Sequence, residues 1–447
     1  MRIYPEQKDS SVKWLGNIPS HWDCKKIGTL FTERKTKVSD KDYPPLSVAK
    51  IGVVPQLATA VKTDAGDNRK LVCAGDFVIN SRSDRKGACG VSELDGSVSL
   101  INIVLTPRSK WNGRYVHYLL RNHTFSEEYY RYGRGIVADL WTTRYSEMKN
   151  ILLPVPPRTE QDQIVRFLDW KVSDINKLIN IKKREIKELE ELKRSRIAHI
   201  VMGADYQHQK PTSVSWVKTI PEDWKELSLI QVATEQQIKN TGLIENNLLS
   251  LSYGKIIKKD INTTDGLLPL SFEGYQIVKN GNIILRLTDL QNDHKSLRTG
   301  LVTQRGIITS AYTCLKTREN ILPEYLQIQL HVADLCQVFY GMGGGVRQSI
   351  GFKEIRKLII AIPPIEEQKK IIDMINEIDT LTNSTIDKIK EIISGLEELK
   401  KCLISDVVTG QIDVCDVEIP EFEFEDELSD FSEDGLENEV TEGGINL

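Results

Sequence analysis

The sequence predicts an α+β protein in which two similar globular domains are separated by a long antiparallel two-helix coiled coil. Three observations predict this fold: two pairs of repeated motifs, two long segments with helical apolar spacing, and short strand-like segments between them. The 447 residues suffice for two or three domains, and 40% apolar with 27% charged residues is ordinary for globular proteins.

The first repeated motif introduces each predicted domain. SVKWLGNIPSHW at residues 11–22 matches SVSWVKTIPEDW at 213–224, with an offset of 202 between equivalent residues. Both copies place two tryptophans at the same positions, which favours packing in a core over stacking on bases. A repeat period near 205 residues is much longer than a solenoid unit. Each copy is therefore predicted to be a whole domain with a connecting element.

The second repeated motif begins and ends two predicted helices. Each copy has a proline pair, a following glutamine, the pentapeptide LEELK and a closing glycine, from Pro156 to Gly203 and from Pro363 to Gly410, at an offset of 207. The prolines block helix upstream, glutamate stands in each first turn, and glycine ends each helix. We therefore predict helices of 41 residues at 160–200 and 366–406. Each would be about 60 Å long at ~1.5 Å per residue.

Apolar residues recur at spacings of three and four in both helices, which predicts a seam for a partner helix. The predicted seam contains Ile164, Leu168, Val172, Ile175, Ile179, Ile186, Leu189, Leu192, Ile197 and Ile200 in the first helix, and Ile371, Ile375, Ile378, Thr382, Thr385, Ile389, Ile392, Leu396, Leu399 and Leu403 in the second. A compact domain between the helices returns the chain near its entry point, so we expect the helices to run antiparallel. The alternative is two unrelated surface helices, each folded onto its own domain.

The motifs divide the chain into five predicted parts. These are a first target-binding domain (1–155), a first spacer helix (156–204), a second such domain (205–362), a second spacer helix (363–411) and an acidic tail (412–447). Within the domains, segments 76–82, 98–108, 282–288 and 307–317 are typical of strands, and 114–122 and 323–335 of helices.

The tail concentrates negative charge. Residues 416–447 hold thirteen Asp and Glu and no Lys or Arg, and without these acidic residues the formal net charge would change from −4 to +9. Such a composition buries little apolar surface, so we expect the tail to be disordered. It either serves solubility or competes with nucleic acid for a basic surface.

Polar and basic clusters follow the predicted strands of both domains. Their residue types are those that bind phosphates and base edges, since Arg bridges the acceptors of guanine and Gln or Asn pairs with adenine. The candidate DNA-binding residues are Ser81, Arg82, Arg85, Lys86, Arg134, Thr143 and Arg144 in the first domain, and Arg286, Gln291, Asn292, His294, Lys295, Arg347 and Gln348 in the second. Any one of them is also explained as an ordinary solvated loop residue.

The sequence contains no recognisable catalytic motif. GMGGGVRQS at 341–349 lacks the Lys-Ser/Thr ending of a phosphate-binding loop, and no dinucleotide fingerprint, HExxH or methyltransferase Pro-Pro-Tyr/Phe motif is found. The seven cysteines form no CxxC pair, so neither a zinc site nor a disulfide framework is predicted. We expect a non-catalytic protein without metal or cofactor, located in the cytoplasm because the N-terminus has no apolar signal core.

Taken together, the W-x-x-IP-x-x-W segments and the PPxxEQ helices that end near LEELK and a glycine resemble the DNA-specificity subunit of type I restriction-modification enzymes, a host-defence family. The resemblance covers residues 11–410. It implies two target-recognition domains that each read one half of an interrupted DNA sequence, and helices that set the gap and dock two methyltransferase subunits. Those partners would supply adenine methylation with S-adenosylmethionine, and motor-nuclease subunits would supply cleavage.

Two other interpretations remain open at this point. The chain could be a coiled-coil scaffold with protein-binding end domains. It could also be the specificity portion of a system in which methylation and cleavage belong to one polypeptide, although the sequence contains no segment with such an enzyme motif.

Overall fold

The computed structural model describes residues 2–57, 66–82, 85–135, 141–252, 254–261, 271–290, 297–342 and 349–426. The chain divides into two compact units. Unit 1 comprises Met1–Arg184 and Ile389–Leu447, and unit 2 comprises Glu185–Lys388.

Both units contain short strands and helices. The helices are α1 (Ile27–Leu30), α2 (Gly113–Arg121), α3 (His123–Arg131), α4 (Tyr145–Met148), α5 (Arg158–Val201), α6 (Leu229–Val232), α7 (Pro323–Leu335), α8 (Phe352–Ile355) and α9 (Ile365–Val408). The strands of unit 1 are β1 (Gln7–Asp9), β2 (Asn17–Pro19), β3 (Asp23–Lys26), β4 (Phe31–Glu33), β5 (Lys37–Val38), β6 (Leu46–Ala49), β7 (Gly52–Pro55), β8 (Arg69–Val72), β9 (Phe77–Asn80), β10 (Cys89–Val91), β11 (Gly96–Val98), β12 (Asn102–Pro107) and β13 (Leu152–Val155). Those of unit 2 are β14 (Gln209–Pro211), β15 (Thr219–Pro221), β16 (Lys225–Ser228), β17 (Ala233–Glu235), β18 (Leu249–Ser252), β19 (Lys255–Lys258), β20 (Gln276–Val278), β21 (Ile283–Leu285), β22 (Thr299–Leu301), β23 (Gly306–Ile308), β24 (Thr313–Thr317) and β25 (Ile359–Ile362).

The four-stranded sheets of the two units have the same strand order. In unit 1 the four-stranded sheet runs β10-β9-β12-β4, and in unit 2 it runs β22-β21-β24-β17, all antiparallel. Pairs also correspond: β1-β2 with β14-β15, β3-β13 with β16-β25, β6-β7 with β18-β19, and β8-β11 with β20-β23. The mixed α/β content, the strands expected within 76–82 and 282–288 and the helices expected at 114–122 and 323–335 are confirmed. The segments 98–108 and 307–317 are not single strands, because a turn divides each one, into β11 and β12 and into β23 and β24.

The central strands are mostly apolar because both faces of the sheet are covered. Alternate residues of a strand point to opposite faces, so Phe77 and Ile79 join the main core of unit 1 while Val78 joins a second cluster. In unit 2, Ile283 belongs to the main core and Ile284 to a second cluster. Each sheet therefore separates two apolar layers.

The two long helices have the equal lengths expected from the repeat. Helices α5 and α9 contain 44 residues each and begin and end within three residues of the predicted bounds. The local signals were sufficient here, because the proline pair and the glycine act on the backbone of the helix ends themselves.

Within each unit, a part of α5 lies against a part of α9. In unit 1, Lys400 donates a hydrogen bond to Asn176 Oδ1 at 3.1 Å, and Leu403 shares the core of Leu168. In unit 2, Lys193 lies 2.8 Å from Asp379 Oδ1, and Ile200 shares the core of Ile371. Each unit therefore contains a local contact between the two long helices.

Three residues of the predicted seam face solvent instead. Leu192 is 66% exposed, Ile392 47% and Leu399 53%. At about 100° per residue, Leu192 lies about 140° around the helix from the buried Ile197. The apolar residues of the predicted seam therefore lie on two faces of these helices, and only one of the two faces is buried.

The repeated motifs meet inside each unit. Gly410, which follows α9, has φ +78°, and a Cβ atom there would lie 2.4 Å from Pro19 Cδ. In unit 2, Gly203 has φ +65°, and its Cβ would lie 2.5 Å from Pro221 Cγ. The following tryptophans, Trp22 and Trp224, are buried, as expected from their repetition. Glycine is needed at both sites for its conformation and for its lack of a side chain.

The first part of the acidic tail differs from the expectation of disorder. Residues 412–426 are described, and Gln163 Nε2 of α5 donates hydrogen bonds to the carbonyls of Val414 at 3.0 Å and Val417 at 2.8 Å. Charge composition predicts poor burial of side chains, but it does not exclude binding through the main chain.

Candidate nucleic-acid interface

A main-chain junction joins two polar segments at equivalent places in both units. In unit 1, the amide of Thr143 donates to the carbonyl of Ser81 at 3.0 Å, just after β9 and just before α4. In unit 2, the amide of Ile350 donates to the carbonyl of Leu287 at 2.9 Å, after β21 and before α8. We call this contact the junction. It brings together, in each unit, the two clusters that the sequence singled out.

Ser81 and Thr143 form the buried base of the first junction. Ser81 is 7% exposed and Thr143 is fully buried. The Thr143 hydroxyl donates to the carbonyl of Tyr129 at 3.0 Å, and the Tyr129 hydroxyl donates to the carbonyl of Thr143 at 3.1 Å. These side chains hold the loops in place, and the structure does not present them to a ligand in solvent.

Three candidate arginines are exposed around the same junction. Arg82 and Arg134 each form a β-bridge with Thr142, and Arg144 follows two residues later. The pKa of the Glu147 carboxyl is lowered, first by the hydroxyl of Ser146 and then by the charges of Arg134 and Arg144. The guanidinium groups of two separate segments therefore act on one place, which suits a surface that contacts DNA.

Lys86 and Arg85 lie beside these arginines but already have protein partners. Lys86 forms an ion pair with Glu127 and lies 5.3 Å from the centre of the Tyr130 ring. Its hydrogen bond lowers the pKa of the Glu127 carboxyl. Arg85 is half-buried, and its amide donates to the carbonyl of Arg82 at 3.3 Å.

Most candidates of the second domain fall outside the described residues. Gln291, Asn292, His294, Lys295, Arg347 and Gln348 belong to this group. Arg286 is described and half-buried, and its amide donates to the carbonyl of Arg298 at 2.8 Å. The junction between Leu287 and Ile350 joins the flanks of the two segments that contain the other candidates.

Arg298 is the residue of this region that sequence reasoning overlooked. Its side chain is fully buried and donates hydrogen bonds to the carbonyls of Arg286 at 3.2 Å, Thr288 at 2.8 Å and Asp289 at 3.3 Å, and to the Tyr340 hydroxyl at 3.2 Å. The planar guanidinium suits several acceptors at once. It follows the candidates Gln291 to Lys295 by three residues, but the sequence alone does not indicate that its side chain points inward.

The repeated glutamines of the PPxxEQ motif attach the long helices to the domains. Gln161 accepts a hydrogen bond from the amide of Asn112 at 3.0 Å, and Gln368 accepts one from the amide of Leu322 at 2.9 Å. Asn112 and Leu322 are the residues immediately before α2 and α7. Each glutamine therefore fixes a domain helix to the beginning of α5 or α9.

The long helices also expose apolar side chains. On α9 these are Met374, Leu381, Ile392 and Leu399, at intervals of 7, 11 and 7 residues and therefore on one side of the helix. On α5 they are Leu178, Ile181 and Leu192. Leu192 and Leu399 are the last leucines of the two LEELK copies, so each half of the repeat exposes one at the same position.

The described part of the chain shows neither a metal-binding cluster nor a membrane-spanning helix. Among those residues, no group of three or more His, Cys, Asp and Glu side chains could hold a metal ion. Within the same ranges, no helix combines the length and apolar character that crossing a membrane requires.

Comparison with known proteins gives a consistent result. Residues 221–394 match the family model described as the type I restriction modification DNA specificity domain. The type I restriction enzyme MjaVIII specificity subunit of Methanocaldococcus jannaschii is 24% identical over 93% of this chain and 98% of its own length. A second protein of that organism, assigned as the MjaX specificity subunit, is 21% identical over 93% of this chain and 99% of its own length.

A solved structure has a similar fold. It is a chain from work on complex assembly and conformational transition of the type I R-M system, with a TM-score of 0.62 and 13% identity. The similarity covers 88% of this chain and 99% of that chain.

Proposed function

The chain belongs to the family of DNA-specificity subunits of type I restriction-modification systems, and from this premise we propose that it reads a bipartite, asymmetric DNA target. It acts as a non-catalytic subunit without a cofactor of its own, in the cytoplasm. Its partners are double-stranded DNA, two methyltransferase subunits that carry S-adenosylmethionine chemistry, and motor-nuclease subunits.

The observation that carries this proposal is the pair of junctions. Both units use the same main-chain contact to assemble two polar segments, but the residues that follow the contact differ. They are Arg82 and Arg144 in unit 1, and Thr288 and Gly351 in unit 2. A common backbone plan with different side chains is what two different half-sites demand, because each base sequence offers its own donors and acceptors. The proposed duplicated target-recognition domains comprise residues 1–155 and 205–362.

The proposal gives the candidate residues two roles. In the first domain Arg82, Arg134 and Arg144 contact DNA, with Arg85 and Lys86 beside them, while Ser81 and Thr143 support the loops. In the second domain the contacts come from Arg286, Gln291, Asn292, His294, Lys295, Arg347 and Gln348. Arg298 holds the backbone that leads into them.

The helices serve as spacer and docking surface. The spacer segments 156–204 and 363–411 form an antiparallel coiled coil whose length sets the gap between the half-sites. The contacts between α5 and α9 within each unit and their equal length of 44 residues support this arrangement. The exposed leucines Leu192 and Leu399 offer one equivalent apolar contact for each methyltransferase subunit, since exposed apolar rows mark protein interfaces.

DNA selection tests the reading function. The protein is co-purified with its methyltransferase subunits, and duplexes are selected from a random library. Arg134→Ala and Arg144→Ala should each relax base preference in one half-site, by roughly 1–3 kcal/mol or a factor of about 5 to 150. The control Arg131→Ala removes an arginine that is 62% exposed but paired with Glu128, and it should leave the profile unchanged. Loss of preference in both half-sites, or in neither, would contradict the assignment.

Co-purification tests the docking surface. Leu192→Lys and Leu399→Lys should each reduce methyltransferase binding without lowering the unfolding temperature, because both side chains are exposed in the free subunit. Ile244→Lys is the matched control, since Ile244 is 68% exposed and lies outside the long helices. A scaffold protein with protein-binding end domains would show no sequence-selective DNA binding even with the methyltransferase present.

A further inference from the structure

Three polar side chains on one face of α5 are buried. Ser173, Asn176 and Asn180 are spaced by three and four residues, so they lie within about 60° around the helix. Ser173 is 3% exposed, Asn176 4% and Asn180 0%. Serine and asparagine are mostly exposed in folded proteins, and when buried they need hydrogen-bond partners. We call these three residues the polar ladder.

The acidic C-terminal segment of the same unit supplies hydrogen-bond partners to all three residues of the polar ladder. Asn176 Oδ1 also accepts a hydrogen bond from Lys400 of α9. The Ser173 hydroxyl donates to the carbonyl of Glu423 at 3.0 Å and accepts from the amide of Glu425 at 2.8 Å. Asn176 Nδ2 donates to the carbonyl of Glu425 at 3.1 Å. Asn180 Nδ2 donates to the carbonyl of Asp426 at 3.0 Å and to Glu425 Oε1 at 2.9 Å.

These contacts recognise the main chain of the segment. Four of the five bonds end on backbone atoms, and only the bond to Glu425 Oε1 ends on a side chain. The aromatic side chains are not enclosed, since Phe422 is 37% and Phe424 47% exposed. Phe424 lies over the guanidinium of Arg114 at 5.1 Å. Binding therefore depends on the extended backbone more than on the identity of the acidic residues.

The equivalent positions on α9 serve as an internal comparison. The offset of 207 leads from the ladder to Thr380, Asn383 and Asp387, which are also polar but exposed. The Thr380 hydroxyl donates to the carbonyl of Asn376 in its own helix at 2.7 Å. A polar row at these positions is thus common to both helices, but on α5 the row is buried and hydrogen-bonded to the acidic segment.

We propose that this face of α5 is a binding site for an extended peptide main chain, and that residues 423–426 are its intramolecular ligand. The site does not depend on DNA recognition. It gives the acidic segment a fixed position along α5, because side-chain amides and a hydroxyl satisfy backbone groups that would otherwise bond to water. Attachment to the same chain raises the effective concentration of the ligand, so a few hydrogen bonds suffice.

Binding in trans tests the site. The chain is truncated after Val417, which keeps the contacts of Gln163, and a labelled peptide of residues 418–426 is added. We expect one peptide to bind per truncated chain and none to bind the full chain, whose site is filled. A peptide N-methylated at the Glu425 amide should bind at least tenfold more weakly, because it cannot donate to Ser173. A peptide with alanine in place of Phe422 and Phe424 should lose less affinity than the N-methylated peptide.

Several results would overturn the proposal. One is absence of binding to a truncated chain whose circular dichroism matches that of the full chain. Equal binding to the full chain, or equal binding of the N-methylated peptide, would reduce the contact to charge attraction between an acidic peptide and a basic helix.

Hydrogen exchange on the full chain covers the case in which the truncated chain does not fold. Ser173→Ala and Asn176→Ala should speed exchange of the amides in 423–426 at least tenfold. Asn383→Ala, the equivalent of Asn176 on α9, should leave them unchanged. Unchanged exchange in the ladder variants, or the same increase in the control, would refute the site.

Discussion

Replacement of Gln368 by methionine should destabilise unit 2 strongly. The Gln368 side chain is fully buried, accepts from the amide of Leu322 at 2.9 Å, and donates to the carbonyls of Asn320 at 3.1 Å and Pro363 at 3.0 Å. Methionine has similar length but makes none of these bonds. Each lost hydrogen bond costs about 1 kcal/mol, and an unsatisfied buried amide costs more. We expect a loss of about 3 kcal/mol.

The repeat offers a graded comparison. Gln161 makes two such bonds, to the amide of Asn112 at 3.0 Å and the carbonyl of Pro156 at 3.0 Å, so Gln161→Met should cost unit 1 about 2 kcal/mol. Gln237 is exposed, and Gln237→Met should change stability by less than about 0.5 kcal/mol.

Thermal unfolding and hydrogen exchange measure the effect. For a unit of this size, about 3 kcal/mol lowers the melting temperature by roughly 6–12 °C. Exchange of the α7 amides should speed up in Gln368→Met, since the helix loses its attachment at Leu322. If Gln368→Met lowers the unfolding free energy no more than Gln237→Met does, Gln368 does not stabilise the attachment of α7 to α9. The structural role inferred for the repeated glutamine would then be wrong.

Two further predictions concern unit 1. Burial first, and then the charge of Arg121, lower the pKa of His117 to about 3. As pH falls from 6.5 to 5, His117 becomes protonated in the unfolded state but stays neutral in the folded state, so the unfolding free energy should fall by about 2 kcal/mol. In urea titrations, the His117→Gln variant should not show this loss of stability between pH 6.5 and pH 5. Gly410→Ala should lower the unfolding free energy by at least about 2 kcal/mol, because the position has positive φ and the new Cβ atom would clash with Pro19. Gly16→Ala should lower it by about 1 kcal/mol, because Gly16 also has positive φ but open space around it. Equal urea midpoints for the two alanine variants would exclude the clash.

The candidate surface was only partly predictable. Arg82, Arg134 and Arg144 are exposed as a DNA-binding role requires, and the sequence clusters led to them. Thr143 belonged to the same cluster but is buried under Tyr129. Both kinds of residue are polar and lie in loops. The difference arises from which neighbour the folded chain places beside each side chain.

The sequence by itself determined the repeat, the bounds of α5 and α9 within a few residues, and the strands next to the polar clusters. Those features depend on signals that act within a turn or two of backbone: a proline pair, a glycine, and the spacing of apolar residues. Tertiary structure alone decided which polar or apolar groups are covered. Leu192 faces solvent, Arg298 points inward, and Ser173 binds residues 250 positions away. Burial is set by such distant neighbours, and no local pattern encodes them.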